Sequence, residues 1–172
     1  MTLVSNLYLT HGLMLLCAIG SATLSAREGR GLVVPAWRVP AAGLLAVFSA
    51  LSLIAYPTWG ELRNPGLWMF AIVAGAAGVA RGYWVQLDVD HGWRLLRLPH
   101  GFDGLLAACL LCVLAAIEIA LALSGPADQP TTELGMAVLA AFLGGRAAAV
   151  LWRARHEPQS DLHDRPPPPV QE

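Results

Sequence analysis

Apolar positions in this chain fall into five long blocks, and polar residues crowd between them. The blocks cover about residues 3–24, 39–56, 66–84, 104–123 and 134–152. Each is close to the ~20 residues that cross ~30 Å of hydrocarbon at ~1.5 Å per residue. Turn formers punctuate them. Pro40 falls in the first turn of the second block, where a missing N–H costs nothing. Pro57 and Gly60 end that block, Pro65 opens the third, and Ser124-Gly125-Pro126 closes the fourth. No basic residue precedes the first block, so it lacks the charged start of a signal peptide. The pattern predicts an all-α membrane fold: a five-transmembrane-helix bundle forming one domain over residues 1–153.

The connection between the third and fourth blocks departs from loop composition. Val85, Leu87 and Val89 alternate with Gln86, Asp88 and Asp90, and His91-Gly92 follows as a turn. Period-two alternation around a glycine turn predicts a short β-hairpin. Tyr83, Trp84 and Trp93 suit the headgroup layer, where one side of an aromatic ring is dry and its polar edge is wet. Residues 154–172 are polar and contain four consecutive prolines, Pro166 to Pro169, so they are expected to form a disordered tail.

Charge orients the bundle. All eleven basic residues are arginine, a usage expected of a GC-rich bacterial genome. Nine lie in alternate segments: Arg27, Arg30, Arg38, Arg81, Arg94, Arg97, Arg153, Arg155 and Arg165. Only Arg63 lies on the opposite side, and Arg146 is within the fifth block. The positive-inside rule then places the N-terminus outside, the C-terminus and the hairpin in the cytoplasm, and the chain in a bacterial inner membrane as a multi-pass protein. A net charge of −1 gives no electrostatic case for nucleic acid. The expected partner is the lipid bilayer, with a second copy or another membrane protein as a further partner.

Lipid is as apolar as leucine, so helices associate through close backbone contact at small residues. The fifth helix offers Ala137, Ala141, Gly145 and Ala149 on one ridge, and Ala140, Gly144 and Ala148 on the next. The third offers Ala74, Gly78 and Gly82. Whether these ridges meet within one chain or between copies is open at this level.

Ionisable groups inside spans are costly and point to function. There are three: His11, Glu118 and Arg146. Helix rise puts His11 about 12 Å and Glu118 about 8 Å below the outer surface, so they are a candidate pair for relaying protons or holding a cation. Arg146 lies about 9 Å from the cytoplasmic face, where snorkelling is favoured over a site for an anion or lipid headgroup. Cys109 and Cys112 form a Cys-x-x-Cys in the fourth helix, with Cys17 at a similar depth on the first. Without a nearby basic group to lower a thiol pKa, small-hydrophobe packing outweighs redox chemistry for all three. No catalytic motif is complete, no cofactor pattern is present, and Asp88, Asp90 and His91 read as a solvated face with no metal role.

Some local patterns are familiar. Arg38 with Pro40 opens the second helix, Gly78 to Gly82 around Arg81 closes the third, Arg97-Leu98-Pro99 precedes the fourth, and Gly144-Gly145-Arg146 lies in the fifth. Together with five spans and a hairpin-like third connection, this resembles the CcdC-like group of small bacterial inner-membrane proteins of unassigned function. The resemblance covers about residues 7–153 and implies that Arg81 and Arg146 are the positions to test. Three functions remain: a small transporter or accessory permease subunit, a structural or assembly partner of a membrane complex, and a membrane thiol oxidoreductase.

Overall fold

The computed structural model describes residues 9–54, 65–90, 92, 94–99, 101–124 and 130–160. Among these are five helices and three short strands. The order is α1 (Leu9–Gly29), β1 (Val33–Pro35), α2 (Arg38–Ile54), α3 (Pro65–Trp84), β2 (Asp88–Asp90), β3 (Leu95–Arg97), α4 (Asp103–Ser124) and α5 (Pro130–Ala154). Four helices are long and apolar enough to cross a membrane: Leu9–Glu28, Pro65–Trp84, Asp103–Leu123 and Thr132–Ala154. The fifth, Arg38–Leu53, is apolar but shorter.

Helix ends differ from the apolar blocks for a physical reason. Charged residues end an apolar block without ending a helix, because Arg and Glu are good helix formers. Thus α1 continues past Leu24 through Arg27 and Glu28, and stops where Gly31 takes a positive φ of 64°. The Gly31 amide donates to the Glu28 carbonyl at 3.0 Å, satisfying one orphan acceptor of the last turn. The first residues of the expected first helix, 3–8, lie outside the described residues.

α5 packs against α3, α2 and α4, and α1 packs against α2 and α4. The interior is built from small side chains. Ala18, Ala46, Ala50, Ala108, Ala115 and Ala140 surround Met14, Leu111, Met136 and Leu143. Two fully buried serines tie α1 to α2 by donating to main-chain carbonyls. Ser21 Oγ reaches Ala42 O and Ser49 Oγ reaches Met14 O, each at 2.9 Å. Bonds of this kind add about 0.6 kcal/mol each in membrane bundles. Large apolar side chains point outward, among them Leu16 on α1, Phe70 and Ile72 on α3, and Leu106 and Val113 on α4. Apolar residues around the whole circumference are the mark of a lipid-facing helix.

The expected hairpin is present, and it has a third strand. β3 is central, with β1 and β2 antiparallel on either side. Val34, Leu96 and Val89 lie in one row across the sheet and are all buried. That row packs on Val39 of α2 and on Ala147, Val150 and Ala154 of α5. The sheet therefore closes one end of the bundle. Gly92 N donates to Asp90 Oδ1 at 2.9 Å in the turn, and Arg94 takes a left-handed φ of 52°. Beyond α5 the chain returns to the sheet: Ser160 N donates to Val89 O at 2.8 Å, and Gln159 bridges Val89. The disorder expected from residue 154 does not extend to this stretch, and residues 161–172, with the four prolines, lie outside the described residues.

Arg153 fixes the last turn of α3. Its Nη1 donates to the carbonyls of Gly82 at 3.3 Å, Tyr83 at 2.9 Å and Val85. A helix ends with unsatisfied carbonyls, and a guanidinium with several donors answers them in one stroke. Glu157 orients that guanidinium, its Oε1 lying 3.1 Å from Nε and 2.6 Å from Nη2.

Candidate functional site

At the sheet end of the bundle, four charged side chains from four helices meet. Arg146 Nη1 donates to Glu28 Oε2 at 3.2 Å, and Arg146 Nε lies 3.6 Å from Asp103 Oδ2. The same Asp103 oxygen accepts a 2.9 Å bond from Arg81 Nε. Each element sets its residue's place. Glu28 is in the last turn of α1, Arg81 in the last turn of α3, and Asp103 at the start of α4. An acid at a helix start and a base at a helix end both suit the peptide dipoles. Arg146 is two turns before the end of α5, and its guanidinium crosses the face of Gly104 on α4. A Cβ on Gly104 would lie 2.8 Å from Nη1.

Side-chain exposure rises along the cluster: 4% for Glu28, 8% for Arg146, 24% for Asp103 and 45% for Arg81. The four form a path of alternating charge from the interior to the surface. Two cations face two anions, so the cluster is neutral as a whole, which limits the desolvation cost of burying it. Its hydrogen bonding is incomplete. Glu28 Oε1 and Arg146 Nε are buried and have no hydrogen-bond partner among the described residues. A buried carboxylate oxygen held beside a guanidinium, with one lone-pair direction open, has capacity for a proton, a water or a cation.

The structure places the sequence candidates differently from one another. Arg146 and Arg81 come together through Asp103. The snorkelling expected of Arg146 is not what the structure shows: its side chain is buried, because two carboxylates lie within reach and aqueous solvent does not have to solvate it. His11 lies toward the other end of α1, lining a small pocket with Thr10, Met14, Ser52 and Leu53. Glu118 is half-buried on α4, and no hydrogen bond or ion pair joins it to His11 among the described residues. Cys17 and Cys112 are half-buried, Cys109 is exposed, and all three are free thiols. The ridge of Ala137, Ala141, Gly145 and Ala149 faces α3 of the same chain, against Leu67, Gly75 and Gly82.

Sequence reasoning missed Glu28 and Asp103. Both flank apolar blocks, where a polar residue reads as connection. The available signal was helix chemistry: Asp103 directly precedes an apolar run, as a helix-start acid does, and Glu28 is acidic within an arginine-rich connection. No protein-family model, curated protein sequence or solved structure matches this chain.

Proposed function

We infer that this chain is a five-span bacterial inner-membrane protein, N-terminus outside and C-terminus in the cytoplasm, that moves a small solute as a transporter or accessory permease subunit. Its working centre is the path from Glu28 through Arg146 and Asp103 to Arg81. The observation that carries this reading is the buried Glu28 carboxylate, paired on one oxygen and open on the other. Intramembrane carboxylate–arginine chains are a means of coupling solute movement to a proton or cation. The CcdC-like likeness draws attention to two of these four residues, Arg81 and Arg146. The assembly-partner reading loses its main support, since the small-residue ridge of α5 is consumed within the chain by α3.

The orientation is supported by convergence. Arg27, Arg30, Arg38, Arg81, Arg94, Arg97, Arg153 and Arg155 belong to the helix ends and connections at the sheet end. Retention of arginine on the cytoplasmic side would place that end inside. α2 then crosses as the short span, its 17 residues giving roughly 25 Å. A phosphatase active only in the periplasm is expected to be active when fused after Ile54 or Ser124, and inactive after Trp84 or Ser160. Activity after Trp84 would overturn the orientation.

The transport reading is tested with reconstituted protein on a solid-supported membrane, scanning a panel of small anions, amines and sugars for charge movement. Wild type is expected to give a solute-dependent current that depends on pH. Glu28→Gln keeps the shape and the Arg146 hydrogen bond but removes the titrating charge, and is expected to lower that current about tenfold or more. Glu118→Gln is expected to leave it. A current lost in Glu118→Gln and retained in Glu28→Gln would move the centre to the other end of the bundle.

A further inference from the structure

The charged cluster holds more donors than its carboxylates use. A guanidinium has five N–H donors. Among the described residues Arg146 makes one hydrogen bond, from Nη1 to Glu28 Oε2. Its Nε is buried and donates to no atom among them. Asp103 is the anion on that side, but 3.6 Å is beyond hydrogen-bond reach, and the same oxygen is held at 2.9 Å by Arg81. Asp103 is thus drawn toward the surface, and the edge of Arg146 that carries Nε lacks an acceptor. A buried donor in this state is costly, and an oxygen from a ligand relieves the cost.

Glu28 has the complementary defect. Its Oε2 is taken by Arg146, and buried Oε1 has no hydrogen-bond partner among the described residues. A metal ion does not suit Oε1. Such an ion takes about six oxygen ligands or more, and it would stand beside a guanidinium. Among the described residues no group of three or more His, Cys, Asp or Glu gathers to hold one. A proton needs one lone pair and no further ligand. α1 packs on α2, α4 and β1. The charges that act on Glu28 are Arg146 from α5 and Asp103 from α4. β1 is uncharged, Arg38 at the start of α2 forms no ion pair with Glu28 among the described residues, and Arg27 beside it on α1 is exposed.

We propose that the solute of this centre is a small oxyanion, held on Nε and the adjoining Nη of Arg146, and that it enters together with a proton on Glu28 Oε1. This rests on the transport reading above and names its solute. The two events need each other. While Glu28 is ionised it is the counter-charge of Arg146. A proton taken from water forms an O–H bond at Oε1 and neutralises the carboxyl, and no electrons are exchanged. Arg146 is then a buried cation in need of an anion, and a planar pair of oxygens matches its fork with two parallel hydrogen bonds. Arg81, with 45% of its side chain exposed, is the first cation of the path that an anion meets, and by holding Asp103 it keeps Nε open.

The test is calorimetric titration of the full chain in detergent with sodium nitrate and sodium formate. Two buffers of different ionisation enthalpy are used, so that the difference in heat counts protons. Wild type is expected to take up about one proton per anion bound, and its affinity to fall about tenfold per pH unit where Glu28 is ionised. Glu28→Gln stands for the protonated carboxyl. It is expected to bind both anions at least as tightly as wild type, without proton uptake or pH dependence. Arg81→Gln frees Asp103 to move onto Nε, and is expected to weaken binding about tenfold, the scale of one charge-assisted contact. Glu118→Gln is expected to change neither affinity nor proton count. A cluster whose open atoms are met by water alone gives no anion binding in any variant, and overturns the proposal. Binding that is lost when choline replaces sodium and that takes up no proton overturns it as well. The proton count in wild type decides the matter should Glu28→Gln fail to fold. A proton and a monovalent anion together carry no net charge, so on the supported membrane they are seen as the transient of their separate arrival. Current with amines or sugars and not with anions keeps the transport reading and rejects the oxyanion. Anion-linked proton uptake without any current keeps the oxyanion site and rejects transport.

Discussion

Arg146→Met is expected to destabilise the protein by about 3–5 kcal/mol, the cost of leaving one member of a buried ion pair without its partner. The reasoning starts from exposure. Arg146 and Glu28 side chains are 8% and 4% exposed, so water screens their interaction little. Methionine fills the volume of the aliphatic stem but returns nothing to the Glu28 carboxylate. Asp103 loses one of its two cationic neighbours at the same time. The measurement is reversible unfolding in mixed micelles by added denaturing detergent, with helix content as readout. A second arm separates charge from packing. Adding Glu28→Gln to Arg146→Met removes the stranded charge, and is expected to recover about half of the loss or more. If the double variant is as unstable as the sum of the two single variants, the pair is not coupled and the cluster is not the unit described above.

That cluster also shows where reading by hydrophobicity stops. The five apolar blocks give five helices because spacing and length in an apolar stretch leave the backbone few alternatives in a bilayer. The hairpin is legible because Val85, Leu87 and Val89 alternate with Gln86, Asp88 and Asp90 before the His91-Gly92 turn. Val33-Val34-Pro35 is not, since three residues with a proline carry no period, and only pairing to β3 makes them a strand. Pro35 is tolerated there because β1 is an edge of the sheet. The same limit governs the site. His11 and Glu118 stood out as charges in apolar surroundings, whereas Glu28 and Asp103 were hidden among other polar residues. Helix α1 continues to Gly29, and its last turn holds Glu28 buried against Arg146 of α5. Burial in this protein follows from how the sheet covers the helix ends, which no local pattern of the chain encodes.

The close approach of α3 and α5 links that site to the packing of the bundle. Gly82 lies over Arg146: a Cβ there would meet Arg146 O at 2.8 Å and Ala149 Cβ at 2.7 Å. One turn back, a Cβ on Gly78 would meet Phe142 O at 2.1 Å and Arg146 N at 3.0 Å. Gly145 repeats the contact from the other side, its added Cβ falling 2.3 Å from Gly75 O. All the nearest atoms at Gly78 and Gly145 are main chain, so no side-chain rotation relieves the clash. The two helices meet at this distance only because these positions lack a Cβ.

Gly78→Ala is therefore expected to cost about 1–3 kcal/mol through overpacking, and Gly78→Leu to exceed that range. The sign opposes helix propensity, which favours alanine over glycine by about 1 kcal/mol in a helix interior. Gly12→Ala supplies the contrast: nothing lies within 4 Å of its added Cβ, so the same exchange on α1 is expected to stabilise. The separation of α3 from α5 in Gly78→Ala should also move Arg146 relative to Arg81 and Asp103, since α3 and α5 carry the two arginines. Folding in detergent reports the first effect, and crosslinking of an introduced cysteine pair across α3 and α5 reports the second. If Gly78→Ala stays within about 0.5 kcal/mol of wild type, the size of an ordinary surface change, then the α3–α5 contact is looser than this geometry requires. The positions of the charged residues would then have to be held by the sheet alone.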